Sequence, residues 1–170
     1  MNNIILCGFM GCGKTTVGTL LARRLGMEYA DLDAEIEAEA GMAIPAIFAE
    51  YGEARFRDLE HEAVRALAGR ADCVVSTGGG ALAVPRNVSA LSPRDLVVFL
   101  DAPFDVCLAR ISGSDRPIVR RSSPGELRAL FDARRPAYLA AANAVADAAA
   151  GPEAVAEAVA RIRAERGPAL

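Results

Sequence analysis

Short apolar runs alternate with helically spaced apolar stripes along almost the whole chain. The run NIILC at 3–7 predicts a buried strand. Over 14–25, Val17, Leu20, Leu21 and Leu25 recur at helical spacing, and Gly26 supplies a stop. The segment 28–31 predicts a second short strand. Helices are expected over 33–40 and 44–51, around Gly41. A further helix over 53–68 carries Phe56, Leu59, Val64 and Leu67 on one stripe. CVVST at 73–77 predicts a strand that runs into Gly78, Gly79 and Gly80, and LVVFL at 96–100 predicts another.

The second half continues the pattern. A helix is expected over 104–111. The polar and basic segment 112–122 has no convincing period. Ser123, Pro124 and Glu126 then form a strong helix start: an N-cap, a proline at the first helical position and the acid of a capping box. That helix runs to about 143, the segment 144–147 predicts an edge strand, and Gly151-Pro152 opens a last helix to about 166. Strands alternating with helices imply an α/β fold of three layers, with a central five-stranded parallel sheet covered on both faces. No repeat or linker divides the chain, so residues 1–170 are read as a single domain.

Composition sharpens this in only a few places. Hydrophobic residues make up 52% of the 170, much of that alanine, while aromatics are only 5%. A net charge of −3 favours neither nucleic acid nor an anionic membrane surface as partner. Cys7, Cys12, Cys73 and Cys107 form no C-x-x-C pair and read as free thiols in a reducing cytoplasm, Cys7 and Cys73 in the core. The first apolar run is too short for a signal peptide. The alanine-rich stretch 139–150 is interrupted by Asn143 and Asp147, so no membrane span is expected. No apolar stripe is left over for a second copy, so a monomer is the default. His61, between Glu60 and Glu62, reads as a surface residue.

Chemistry enters at GFMGCGKTT, residues 8–16. Its first eight residues fit G-x-x-x-x-G-K-[ST], after a strand and at the opening of a helix. In that context the loop glycines let backbone N–H groups turn toward a phosphate chain, and the helix adds its positive end. Gly11, Cys12, Gly13, Lys14, Thr15 and Thr16 are the expected nucleotide contacts. Lys14 reaches the β- and γ-phosphates, and the Thr15 hydroxyl takes a place on Mg²⁺. The metal also needs a carboxylate at a neighbouring strand end. Asp101 and the Asp31/Asp33 pair both qualify, and spacing does not rank them.

The chain resembles the shikimate kinase family, small P-loop kinases of the nucleoside-monophosphate-kinase type. The likeness rests on GFMGCGKTTVG, DLDAEIE, GEARFRDLE, STGGGA, DRP and RRPAY, in that order and with matching spacing. The resemblance implies a P-loop NTPase fold. It also implies transfer of the ATP γ-phosphate to the 3-hydroxyl of shikimate, in aromatic amino-acid biosynthesis. On matching positions it implies Asp31 as the Mg²⁺ residue, rather than Asp101, and Asp33 as the holder of the shikimate hydroxyls. Arg57 and Arg134 would clamp the substrate carboxylate, with Gly78, Gly79 and Gly80 close by. Arg110 would stack on adenine. Arg116 would reach the transferring phosphate from a mobile lid over 112–123, and substrate-binding helices would span about 33–62. Lys14, Asp33 and Arg116 would then be the catalytic set.

The residue chemistry agrees with that assignment. Arginine suits planar carboxylate recognition. Glu60, three residues after Arg57 on one helix, can brace the guanidinium. Ile44, Phe48 and Phe56 can wall a pocket. Arg134 is expected inward and Arg135 outward. The stretch 147–152 lacks the basic side chain many relatives carry there, so adenine contacts are expected to be backbone and apolar. The alternative reading is a related kinase acting on gluconate or a shikimate-like cyclitol. A nucleotide switch ranks last, because N-K-x-D is absent and Lys14 and Arg116 are present.

Overall fold

The computed structural model describes residues 3–114 and 117–167. In chain order its elements are β1 Ile4–Cys7, α1 Lys14–Leu25, β2 Glu28–Asp31, α2 Leu32–Ala40, α3 Ile44–Ala66 and β3 Cys73–Ser76. There follow α4 Pro85–Val88, β4 Leu96–Asp101, α5 Phe104–Ile111, α6 Pro117–Arg121, α7 Pro124–Ala141, β5 Ala144–Asp147 and α8 Pro152–Glu165. All five strands join one parallel sheet in the order β2-β3-β1-β4-β5.

The central strands are apolar up to their C-terminal residues, Ser76 and Asp101, because both of their faces are covered. Every residue of β1 and of β3 is buried. Register shows how the layers divide. Leu6 points at α1, since its Cδ1 lies 3.3 Å from where a Cβ on Gly18 would sit. Phe99 packs on Tyr138 of α7, with ring centroids 5.4 Å apart. Leu6 is paired with Val98, and Cys7 with Phe99. Alternation along the strands therefore puts α1 and α7 on opposite faces. The result is the three-layer α/β/α arrangement expected from the sequence.

Local signals act as their chemistry predicts. Gly26 closes α1 in the left-handed conformation, its N–H returning to Ala22 and Arg23 carbonyls. Ser123 caps α7, and Glu126 returns the bond to the Ser123 N–H at 2.7 Å. The helices predicted over 44–51 and 53–68 both form and abut as the two arms of α3, broken at Gly52 with φ 80° and ψ 171°. That backbone region is essentially open to glycine alone, which is why the break falls there. The aperiodic segment 112–122 contains the short helix α6. Its five residues are too few to reveal a period.

Parallel pairing also assembles the site. The glycine loop leaves the C-terminal end of β1, Asp31 ends β2, and the glycine triplet follows β3 just after Ser76. Because β2, β3 and β1 are neighbours, these three chain segments meet at one edge of the sheet.

Candidate active site

The donor side is built on the turn from β1 into α1. Gly8, Gly11 and Gly13 take positive φ. Lys14 Nζ donates to the carbonyls of Gly8 at 2.8 Å and Phe9 at 3.0 Å, and lies 3.7 Å from Cys12 Sγ. The ammonium is thus held across the loop it serves. The hydroxyl of Ser76 on β3 donates to the Lys14 carbonyl at 2.9 Å and fixes the start of α1 to the sheet. Thr15 and Thr16 are exposed in the first turn of α1. Arg110 reaches over from α5 and donates to the Gly11 carbonyl at 3.1 Å.

Asp31 has two tasks. Its Oδ1 caps α2, accepting from the N–H groups of Asp33 at 3.0 Å and Ala34 at 3.4 Å. Its Oδ2 accepts from the Thr15 hydroxyl at 3.2 Å and the Tyr29 hydroxyl at 3.4 Å. A hydroxyl and a carboxylate oxygen therefore face each other beside the loop, partly open to water. Hard oxygen donors with room for water fit a Mg²⁺ that arrives with a nucleotide. Asp101, the other metal candidate, is engaged elsewhere. It forms a two-bond ion pair with Arg135, at 3.2 and 2.6 Å. Nor does Asp101 cap α5, whose N-cap is Pro103 without a side-chain bond.

Opposite the loop lies a cleft of about 770 Å³. Asp33, Arg57, Gly78, Gly79, Gly80 and Arg134 all line it, although they come from α2, α3, the β3 turn and α7. Ile44, Phe48 and Phe56 form its apolar wall. A Cβ on Gly80 would sit 2.8 Å from Arg57 Nη1 and 3.1 Å from Arg134 Nη2, so the glycine lies between two guanidinium groups. A Cβ on Gly78 would meet Asp33 Oδ1 at 2.7 Å. Arg134 Nη1 donates to the Gly79 carbonyl at 3.2 Å. Arg135, its neighbour, points away to Asp101, as the motif spacing suggested.

Glu60 braces Arg57 with two contacts of 3.0 Å, and Glu53 adds one at 3.3 Å. Glu60 is only 2% exposed. Burial raises its pKa above the usual carboxylate value, against the opposing pull of Arg57. Burial disfavours the Arg57 cation too, but the facing carboxylates outweigh it and its pKa is raised.

Three features escaped the sequence reading. Tyr138, one turn beyond Arg134 on α7 and 1% exposed, donates its hydroxyl proton to the Gly79 carbonyl. The i, i+4 spacing within RRPAY was the available signal. Asn87 is fully buried behind the glycine triplet. His61, expected at the surface, is half-buried instead, its Nδ1 2.8 Å from Asn87 Oδ1. From α6, Pro117, Ile118 and Arg121 line the same cleft. Arg116 lies outside the described residues.

Two cations around a small backbone loop have the chemistry to recognise a carboxylate, and Asp33 beside them has that to accept hydroxyl protons. The neighbouring glycine loop has the form of a phosphate cradle. The arrangement suits phosphoryl transfer from a nucleotide to a hydroxyl of a small acid.

Comparison with known proteins points the same way. The family model described as shikimate kinase matches residues 10–163. A shikimate kinase of Geobacter sulfurreducens is 51% identical over 138 residues, covering 80% of this chain and 76% of its own length. One of Salinibacter ruber is 45% identical over 149 residues, covering 81% and 73%. Among solved structures, a shikimate kinase from Acinetobacter baumannii in complex with shikimate superposes with a TM-score of 0.93. It is 35% identical and covers 99% of this chain and 96% of that one.

Proposed function

The chain belongs to the shikimate kinase family, and we propose a division of labour among its residues for the reaction of that family. The enzyme transfers the γ-phosphoryl group of ATP to the 3-hydroxyl of shikimate, giving shikimate 3-phosphate and ADP. The observation that carries the residue assignment is the position of Gly80 between Arg57 and Arg134, in one cleft with Asp33 and facing the glycine loop.

On the donor side, N–H groups from Gly11 to Thr16 cradle the phosphate chain. Lys14 exchanges its loop carbonyls for the more strongly accepting β- and γ-phosphate oxygens. Thr15 and Asp31 would hold the Mg²⁺ that shikimate kinases generally use with ATP, Asp31 through water. When bound, the ion neutralises charge on the β- and γ-phosphates. Arg110 covers the adenine.

On the acceptor side, Arg57 and Arg134 grip the carboxylate, and the triplet Gly78 to Gly80 lets the ring approach the backbone. Asp33 accepts from the reacting hydroxyl and turns its oxygen toward the γ-phosphorus. The new bond joins that oxygen to phosphorus, and the bond to the β,γ-bridging oxygen breaks. The hydroxyl proton passes late to Asp33. Positioning and charge neutralisation do most of this work, so no histidine base is required.

The segment 112–123 acts as a lid within a single kinase domain. The places of Pro117, Ile118 and Arg121 on the cleft support this. Arg116 is assigned to the transferring phosphoryl group on the family resemblance alone. Four free, buried cysteines support a cytoplasmic setting. No described helix is long and apolar enough to cross a membrane.

A coupled assay of ADP release with MgATP and shikimate tests the assignment. Shikimate-dependent turnover well above that with gluconate is expected. Folded protein that turns over gluconate but not shikimate overturns it.

A further inference from the structure

Behind the glycine triplet lies a buried polar chain that reaches from the rim of α3 to the carboxylate clamp. Asn87 is 0% exposed and sits on α4, outside the cleft lining. Its Nδ2 donates to the Ala81 carbonyl at 2.9 Å, and a longer contact of 3.5 Å reaches Glu60 Oε2. Its Oδ1 faces His61 Nδ1 at 2.8 Å. Two groups that can only accept, a carbonyl and a carboxylate, lie on one side of this amide. They fix the amide orientation, and the oxygen left over requires a proton on His61 Nδ1. All of the amide's main hydrogen-bonding directions are then used inside the protein.

The partners of Asn87 are the two halves of the acceptor site. Ala81 follows Gly80 directly, and its N–H donates to the Gly78 carbonyl at 3.1 Å, so the triplet and Ala81 form one tight turn. Glu60 is the residue that braces Arg57. On the far side of the same turn, Arg134 and Tyr138 hold the Gly79 carbonyl. The turn is thus pinned from α7 on one side and from Asn87 on the other. Among the described residues, Asn87 is the one of these that also hydrogen-bonds to the brace of Arg57; Arg134 acts on Glu60 through its charge.

We propose that Asn87 is a positioning residue for shikimate: it locks the glycine turn to the Arg57–Glu60 pair, with His61 fixing the orientation of its amide. The inference rests on the shikimate reading of the cleft. It gives Asn87 a selective role. Loss of its donors leaves the Ala81 carbonyl with only the long 3.4 Å bond from the Val84 N–H and loosens Gly80 relative to Arg57. Among the described residues Asn87 makes no hydrogen bond to Lys14, Thr15 or Asp31, and Ser76 stays fixed in the sheet, so the donor side is expected to change far less than the acceptor side.

The test compares wild type with Asn87→Asp, which keeps size and the acceptor toward His61 but removes both donors, and with Asn87→Ala. Shikimate KM, ATP KM and ADP affinity are measured for each, and kcat/KM is measured for shikimate and for its methyl ester. Both variants are expected to raise shikimate KM about tenfold. ATP KM and ADP affinity should stay within about twofold, and the ester should lose clearly less than shikimate, because it lacks the carboxylate that the locked pair grips. An unchanged shikimate KM overturns the proposal. So does an equal rise in both KM values, or an equal loss with ester and acid. If neither buried variant folds, His61→Ala probes the link from the half-buried rim. It should raise shikimate KM about threefold with ATP KM unchanged, and no change overturns the proposal. Wild-type protein without shikimate turnover would instead overturn the functional reading, and this inference with it.

Discussion

Replacing Gly80 by alanine is expected to disable the acceptor site while leaving the fold and the donor site intact. Gly80 has φ −109° and ψ −11°, which alanine adopts without strain. The new methyl would lie 2.8 and 3.0 Å from the two terminal nitrogens of Arg57 and 3.1 Å from Arg134 Nη2. Ordinary contact begins near 3.4 Å, so the Arg57 tip must retreat by about 0.6 Å and Arg134 by less. Both tips end flexible side chains, so the backbone need not move. A charge-assisted bond near 2.8 Å weakens steeply with such a shift. Hydrogen bonds to charged groups contribute about 1.5–3 kcal/mol each. Losing most of the Arg57 pair and part of Arg134 then costs about 3 kcal/mol, or about a hundredfold in shikimate KM. The assay is steady-state kinetics with shikimate varied at saturating MgATP, together with ADP affinity by calorimetry and a thermal melt. ADP affinity and melting temperature should match wild type. A shikimate KM within about threefold of wild type would show that the two arginines do not converge on the substrate at Gly80. Loss of ADP binding would show that the two halves of the site are not separable.

Other perturbations address different links. Asp33→Asn should lower kcat by about a hundredfold or more with ADP affinity unchanged, measured by the coupled assay and calorimetry. In wild type, Glu60 takes up its proton above the usual carboxylate value because burial raises its pKa. As pH falls, kcat/KM for shikimate should decline on an acid limb above pH 4.5, while Glu60→Gln should have a lower plateau and lack that limb. A wild-type profile retained by the Glu60→Gln variant would remove Glu60 from the clamp. Tyr138→Phe takes one buried bond from the Gly79 carbonyl, which Arg134 still meets. It should cost about 1 kcal/mol and about 2–4 °C in melting temperature by calorimetry, and an unchanged melt would count against that bond.

Much of this molecule is legible where the physical cause is local. The turn from β1 through Lys14 and Thr15 into α1 occupies consecutive residues, so its spacing alone reveals phosphate chemistry. The stop at Gly26 and the capping box at Ser123 and Glu126 are equally local. The brace of Arg57 by Glu60 follows from three residues of helical spacing. The break at Gly52 separates the two predicted arms of α3, because its backbone conformation suits glycine alone. The short α6 was hidden because one turn cannot show a period.

The sequence by itself determined the donor half of the site: a phosphate loop needs only a strand end, a few glycines and a helix start, all contiguous. It also determined the alternation of strands and helices, since burial of both sheet faces writes apolar runs directly into the chain. Only the tertiary structure decided which carboxylate stands beside Thr15. Asp31 and Asp101 both end strands, but the Asp31 carboxylate meets the Thr15 hydroxyl while Asp101 is paired with Arg135. It also decided the placement of residues from distant segments, bringing Arg57 and Arg134 to either side of Gly80 and setting Asn87 and Tyr138 behind the triplet. Most of their partners lie more than twenty residues away along the chain, beyond the reach of any periodicity. The order β2-β3-β1 sets the loop, Asp31 and the triplet at one end of the sheet, and the packing of α7 on β4 adds Arg134 and Tyr138.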